Sequence, residues 1–317
     1  MFSFIRSEIL NMQRFFTIAT LAAFLFFSLT ACTSTPSKEN EFKSPSDAVQ
    51  ALVTAAKTGG DKELLSVLGP EAKELISSGD EVADLETRQS FLKAYEEQNS
   101  IEPDGDNFVL VIGKNDWPFP IPLVKKGDRW MFDTASGKEE ILNRRIGKNE
   151  LDAIQVLLAI VDAQREYAIA DRDSDSLLEY AQKFNSDPGQ KNGLYWTAQE
   201  GEDSSPLGEL VANARAEGYI SEDSQDNPAP YHGYHYLILT AQGNNASGGA
   251  YDYIVNDKMI GGFALVAYPA EHGNSGVMTF MVNHNGVVYQ KDLGENTAEL
   301  AKAMTLYDPD ETWTPVQ

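Results

Sequence analysis

Cysteine is almost missing from this chain. Cys32 is the single one in 317 residues, so no internal disulfide can form. Histidine is scarce too, with His232, His235, His272 and His284 all in the C-terminal half. Positive charge is short: 25 Lys and Arg stand against 48 Asp and Glu, a formal charge of −23. No Lys/Arg cluster offsets that surplus, and such a surface repels phosphate backbones, which argues against nucleic-acid binding. The apolar run Phe15–Leu29 is too short and too near the terminus for a permanent membrane span. What is present is a hydrophobic share of 42 %, enough for a folded core, and a length that suits two domains.

The start of the chain reads as an address. Arg14, the apolar run and the small residues before Cys32 have the order of an export signal, here residues 1–31. Leu29-Thr30-Ala31-Cys32 resembles the bacterial lipobox, which implies that Cys32 is acylated and becomes the new first residue. Each buried methylene of such acyl chains adds about 0.8 kcal/mol, so several chains make a nearly permanent anchor in a lipid bilayer. Thr33 and Ser34 follow, with no aspartate, which points to an outer membrane and a periplasm-facing protein where the cell has one. Residues 32–43 form a lipidated, small and polar tether reaching about 35 Å at most.

The clearest helix is Asn149–Ala170. At 100° per residue Asp152, Gln155, Ala159, Asp162 and Glu166 line one narrow strip, and the apolar residues take the rest of the circumference. That pattern requires cover on more than one side. Before it, residues 44–138 read as an N-terminal α+β domain. Ser44 or Ser46 caps a helix ending at Gly59-Gly60; short helices follow at Lys62–Leu68 and Glu71–Ile76, then an amphipathic one at Thr87–Gln98. Phe108–Ile112 is a buried strand, the proline-rich Trp117–Leu123 an edge, and Arg129–Phe132 a return strand. Helices followed by a curved sheet ending in "GDRWMFD" resemble the cone-shaped folds of the nuclear-transport-factor-2 (NTF2) type. Ser136-Gly137-Lys138-Glu139 looks like a capping box for a short helix stopped at Gly147, with Asn149 capping the long one.

Residues 139–317 then read as the central helix with a C-terminal α+β domain. Leu177–Phe184 and Pro206–Gly218 are predicted helices, the latter capped by Ser204 or Ser205, and Ser221–Pro230 is a polar loop. Tyr234–Gln242, Ala250–Val255, Gly262–Ala267, Val277–Asn283 and Val287–Lys291 are candidate strands, with a hairpin turn at Asn285-Gly286. Asn296 caps a final helix. A long helix before an antiparallel meander resembles the globular part of type IV pilin-like proteins, without the apolar half used for polymerisation.

Asp171, Asp173 and Asp175 alternate as in calcium loops, but Ser176 replaces the sixth-position glycine and Gln182 the twelfth-position acid; calcium is one reading, a solvated loop the other. His232 and His235, with His272, are candidate zinc ligands or packed histidines. Ser275 and Ser247 lack a nucleophile-elbow pattern. Gly248-Gly249 and Gly261-Gly262 do not open a helix, so no phosphate cradle is formed.

Longer runs carry a further resemblance. "SGD" at Ser78–Asp80, "WPFPIPLV" at Trp117–Val124, "RRIGKNELDAIQV" at Arg144–Val156, "YHGYHY" at Tyr231–Tyr236 and "MIGGFALVAYPAEHG" at Met259–Gly273 are similar to the bacterial domain of unknown function numbered 2950. The resemblance implies export and supplies no activity. The expectation is an α+β lipoprotein acting as a binding or envelope-assembly module for an unidentified envelope protein or small ligand. Its contact surface is placed at Tyr231, His232, Tyr234, His235 and Tyr236, since tyrosine suits a half-wet face. The alternative is a periplasmic hydrolase or metal enzyme centred on His232, His235 and His272.

Overall fold

Ser44 opens the first helix. Its hydroxyl accepts the Asp47 amide at 3.1 Å, Pro45 supplies a preset φ, and left-handed Gly59 closes α1 (Pro45–Thr58). The computed structural model describes residues 40–199, 201–219 and 229–316. The signal, Cys32, most of the tether and most of the Ser221–Pro230 loop lie outside these residues. Helix α2 (Asp61–Leu68) stops at Gly69, and a 3-10 turn at Pro70–Ala72 leads into α3 (Lys73–Ile76). Helix α4 (Glu81–Glu97) begins earlier than its periodicity indicates, because the Asp80 carboxylate caps it through the Ala83 amide. It has no fully buried residue, which is why the pattern of its first turns is faint.

Strands β1 (Asn99–Asp104), β2 (Asn107–Ile112), β3 (Trp117–Pro118), β4 (Leu123–Lys126) and β5 (Arg129–Phe132) make one antiparallel sheet in the order β1-β2-β4-β5, with β3 also on β2. Phe42 extends it by two backbone bonds to Trp130, at 2.7 and 2.9 Å. Val49, Leu52, Val53, Leu110, Ile112, Ile121, Leu123 and Phe132 close a first core between α1 and this sheet.

One helix then runs where two are expected. Helix α5 (Thr134–Tyr167) is continuous for 34 residues. Asp133 caps it, Gly147 passes through its exposed side, and Asn149 is buried and donates to the Ser275 carbonyl at 2.9 Å instead of capping. The residue 138/139 boundary between the two expected domains falls inside this helix. The expected faces are right: Gln155, Ala159, Asp162 and Glu166 are exposed, while Ala153, Val156, Leu157, Ile160 and Val161 are buried.

Leu177–Phe184 forms no helix. Its backbone is spent on remote partners instead: the Tyr180 amide reaches the Met259 carbonyl, the Ala181 amide reaches Gln164 Oε1, and the Lys183 and Phe184 carbonyls accept from Leu194 and Tyr195. Helix α6 (Gly208–Ala216) has no side-chain cap; the Ser205 carbonyl accepts the Gly208 amide. The strands that follow are β6 (Tyr234–Leu239), β7 (Ala241–Gln242), β8 (Tyr251–Asp252), β9 (Ile254–Val255), β10 (Lys258–Met259), β11 (Ala264–Pro269), β12 (Met278–Asn283) and β13 (Tyr289–Asp292). After α7 (Thr297–Lys302), which Asn296 does not cap with its side chain, come β14 (Leu306–Tyr307) and β15 (Thr314–Pro315).

The main sheet has the antiparallel order β15-β13-β12-β11-β6; β9 and β10 form a hairpin, and β14, β7 and β8 a small sheet. The β12–β13 turn uses Gly286 at φ 81°. The buried face of α5 shares a second core with Tyr234, Tyr253, Phe263, Leu265, Phe280 and Val282. The fold is α+β. Among the described residues no helix is long and apolar enough to cross a membrane.

Candidate functional site

The Tyr231–Tyr236 segment enters the main sheet through a tight turn. The amides and carbonyls of Tyr231 and Tyr234 bond reciprocally, which puts His232 at φ 52° and Gly233 at φ 74° between them. The His232 ring lies 4.1 Å from that of Tyr231 and 5.6 Å from that of Tyr219, centroid to centroid. Its Nδ1 is 3.8 Å from Asp152 on α5 and its Nε2 3.6 Å from Glu217. Tyr231, His232, His235 and Tyr236 are half-buried. Tyr234 is fully buried, donates to the Met278 carbonyl and packs on Phe280, so it belongs to the core and not to a contact surface. Burial, then the Glu217 carboxylate, pushes the Tyr231 phenol up to about 12; burial does the same, more strongly, to Tyr219 and Tyr236. These phenols stay neutral and act as donors.

Behind this turn sits a network that the sequence does not announce. Asp80 is 1 % exposed, and its Oδ2 accepts from the Tyr219 hydroxyl at 3.0 Å and from the Gly233 amide at 2.8 Å, while Oδ1 caps α4. Arg145, on α5, donates to the Glu74 and Leu75 carbonyls and to Asn274 Oδ1. Asn274 in turn donates to the Ser77 carbonyl and to Glu271. Burial raises Asp84, which accepts the Ser78 amide, and lowers Arg145. The "SGD" and "AEHG" runs are the signal that could have found it, since both supply its residues.

The three histidines named above do not form one centre. His232 lies between Asp152 and Glu217, His235 stacks with Tyr268, and His272 Nε2 is 2.8 Å from Asp292. Ser275 is buried, its Oγ bonded to the Glu271 amide and carbonyl, with no access for a substrate. Ser247 is exposed in a turn whose carbonyl accepts from Gln242. Among the described residues the one trio of ligand-type side chains that converges is Asp171, Asp173 and Asp175, with oxygens within 4.8 Å of one another.

Two grooves lie among the N-terminal elements. One, of about 400 Å3, runs along Ala94, Glu97, Ile112, Gly113, Lys114, Asn115 and the half-exposed Trp117, whose ring carries the Arg144 guanidinium at 6.0 Å. The other, of about 210 Å3, lies beside Ser77 and Asp84.

The sequence profile of one family, described as a protein of unknown function (DUF2950), matches residues 39–316. No curated protein and no solved structure matches the chain.

Proposed function

This chain belongs to the DUF2950 family over the whole of its described length, and we propose that it is an exported lipoprotein serving as a non-catalytic binding or envelope-assembly module. Acylated Cys32 anchors it in a bilayer, the outer membrane where one exists, with the folded part facing the periplasm. The lipobox-like Leu29–Cys32 supports the address.

One observation supports a binder over an enzyme: His232, His235 and His272 stand apart, and several polar side chains near them are already engaged within the chain. Asp80 bridges Tyr219 and Gly233, Ser275 is bonded to the Glu271 backbone, and His272 is bonded to Asp292. The surface offered to a ligand or envelope protein is the aromatic ground of Tyr231, His232 and Tyr236, with His235 on the opposite face of β6 beside Tyr268 and Trp117 as a separate aromatic rim.

Two experiments test this. Labelling cells with a clickable fatty acid marks the native chain, and Cys32→Ala removes the label; retained label overturns the anchor. Affinity capture from membranes then compares the native chain with a Tyr231→Ala/His232→Ala variant. A partner lost with the variant supports the module. A hydrolytic activity abolished by alanine at His232, His235 or His272, without loss of stability, overturns it in favour of the enzyme.

A further inference from the structure

A lysine sits on the acidic loop. Lys258, from β10, places its Nζ on Asp173, 2.5 Å from Asp175 and 3.2 Å from Glu179. It comes from a different element, the β9–β10 hairpin, and its side chain is 23 % exposed. Asp171 has another task. Its carboxylate accepts the amides of Ser174 and Ser176 at 2.7 and 2.8 Å, and that of Asp175 at 3.3 Å. The loop is thereby wound round one carboxylate, with Ser174 and Ser176 in the left-handed region at φ 65° and 73°. Its remaining acids share the ammonium.

Alternating carboxylates repel one another unless a cation stands among them. In calcium loops the metal does this; here an ammonium already touches Asp173, Asp175 and the nearby Glu179. We propose that Lys258 is the resident cation of the Asp171–Glu179 segment: it takes the metal's place, closes the loop to calcium, and fastens the end of α5 to the β9–β10 hairpin. Two bonds across the same junction fit that role, Gln182 Nε2 to the Asp257 carbonyl and the Tyr180 amide to the Met259 carbonyl. The Asp173 and Asp175 carboxylates hold the Lys258 ammonium well above its ordinary range, so it stays charged at neutral pH. A divalent ion would have to expel it from the very oxygens it needs.

The test is thermal melting of the purified full chain with EDTA or with about 1 mM calcium chloride, the weak end of protein calcium sites. The native chain melts at the same temperature in both. Lys258→Met melts lower in EDTA and regains part of the loss in calcium, and adding Asp173→Asn and Asp175→Asn removes that response. Lys258→Arg, which keeps the charge, stays insensitive to calcium. A calcium-induced rise in the native chain that Asp173→Asn abolishes overturns the proposal, as does a folded Lys258→Met that ignores calcium. Should Lys258→Met fail to fold, the native and Lys258→Arg proteins decide the matter by calorimetric titration: calcium heat abolished by Asp173→Asn overturns it, and silence in both upholds it.

Discussion

Arg145 donates to Asn274 Oδ1 at 2.6 Å, across 129 positions of sequence. The same guanidinium holds the Glu74 and Leu75 carbonyls, and Asn274 holds that of Ser77. A helix side chain and a loop side chain thus clasp the end of α3 between them. Guanidinium geometry suits this, because one planar fork serves three acceptors at once.

Arg145→Met leaves those acceptors without their donor and is expected to destabilise the chain by about 2–4 kcal/mol, read from urea unfolding. Arg145→Lys recovers less than half of that, since an ammonium cannot span all three acceptors. Full recovery by lysine would show that charge alone matters there.

Asp80 and Tyr219 form the second clasp. Tyr219→Phe removes one charge-assisted bond from a buried carboxylate and should cost about 1.5–3 kcal/mol. Asp80→Asn costs more, because the Gly233 and Ala83 amides lose an anionic acceptor too. A double-mutant cycle for the pair is expected to give a coupling of about 0.5–3 kcal/mol; additive effects would mean that the bond does not form in solution.

Gly276 lies against Tyr234. A Cβ at this position would overlap the Tyr234 hydroxyl, which is fixed by its bond to the Met278 carbonyl. Gly276→Ala should therefore cost about 1–3 kcal/mol by overpacking, and Tyr234→Phe in the same chain should return part of it. Melting temperatures of the two single variants and the double variant check this directly.

Acid should weaken the fold through two histidines. Burial lowers both His235 and His284 from the ordinary 6.5, helped by Lys302 for the first and Arg165 for the second. As pH falls the unfolded chain takes up these protons first. Their contribution is complete above 6.5 and is lost as pH drops through the lowered folded values. The urea midpoint should fall as pH drops below about 6.5, and fall less in His235→Gln. An unchanged slope in that variant would place the dependence elsewhere.

Much of this fold is legible from local chemistry. Ser44, Pro45 and Gly59 mark α1 because cap, preset φ and left-handed stop are short-range effects. The apolar face of α5 declares itself because its period is sustained. Gly147 misleads: a helical glycine costs only about 1 kcal/mol, and packing on both sides outweighs it. Asn149 has the look of a cap but spends its amide on Ser275, a partner far along the chain. Leu177–Phe184 has helical spacing, yet Met259, Leu194 and Tyr195 claim its backbone. Strand β1, polar and holding Pro103, is set by its pairing with β2 and hardly by its own residues. At the candidate site, Tyr231 and His232 stand out by type, whereas Asp80 and Arg145 gain their meaning from remote partners.

Since α5 is unbroken, it behaves as an axle whose two bearings are set at a fixed angle. Thr134 and Gly137 seat its first turns against Leu68 and Pro120, and Leu157 to Val161 seat its later turns in the other core. One residue inserted near Gly147 would turn one bearing by about 100° and move it about 1.5 Å along the shaft. The spacing between Gly137 and Leu157 is thus a dimension of the molecule, and length changes belong in its loops.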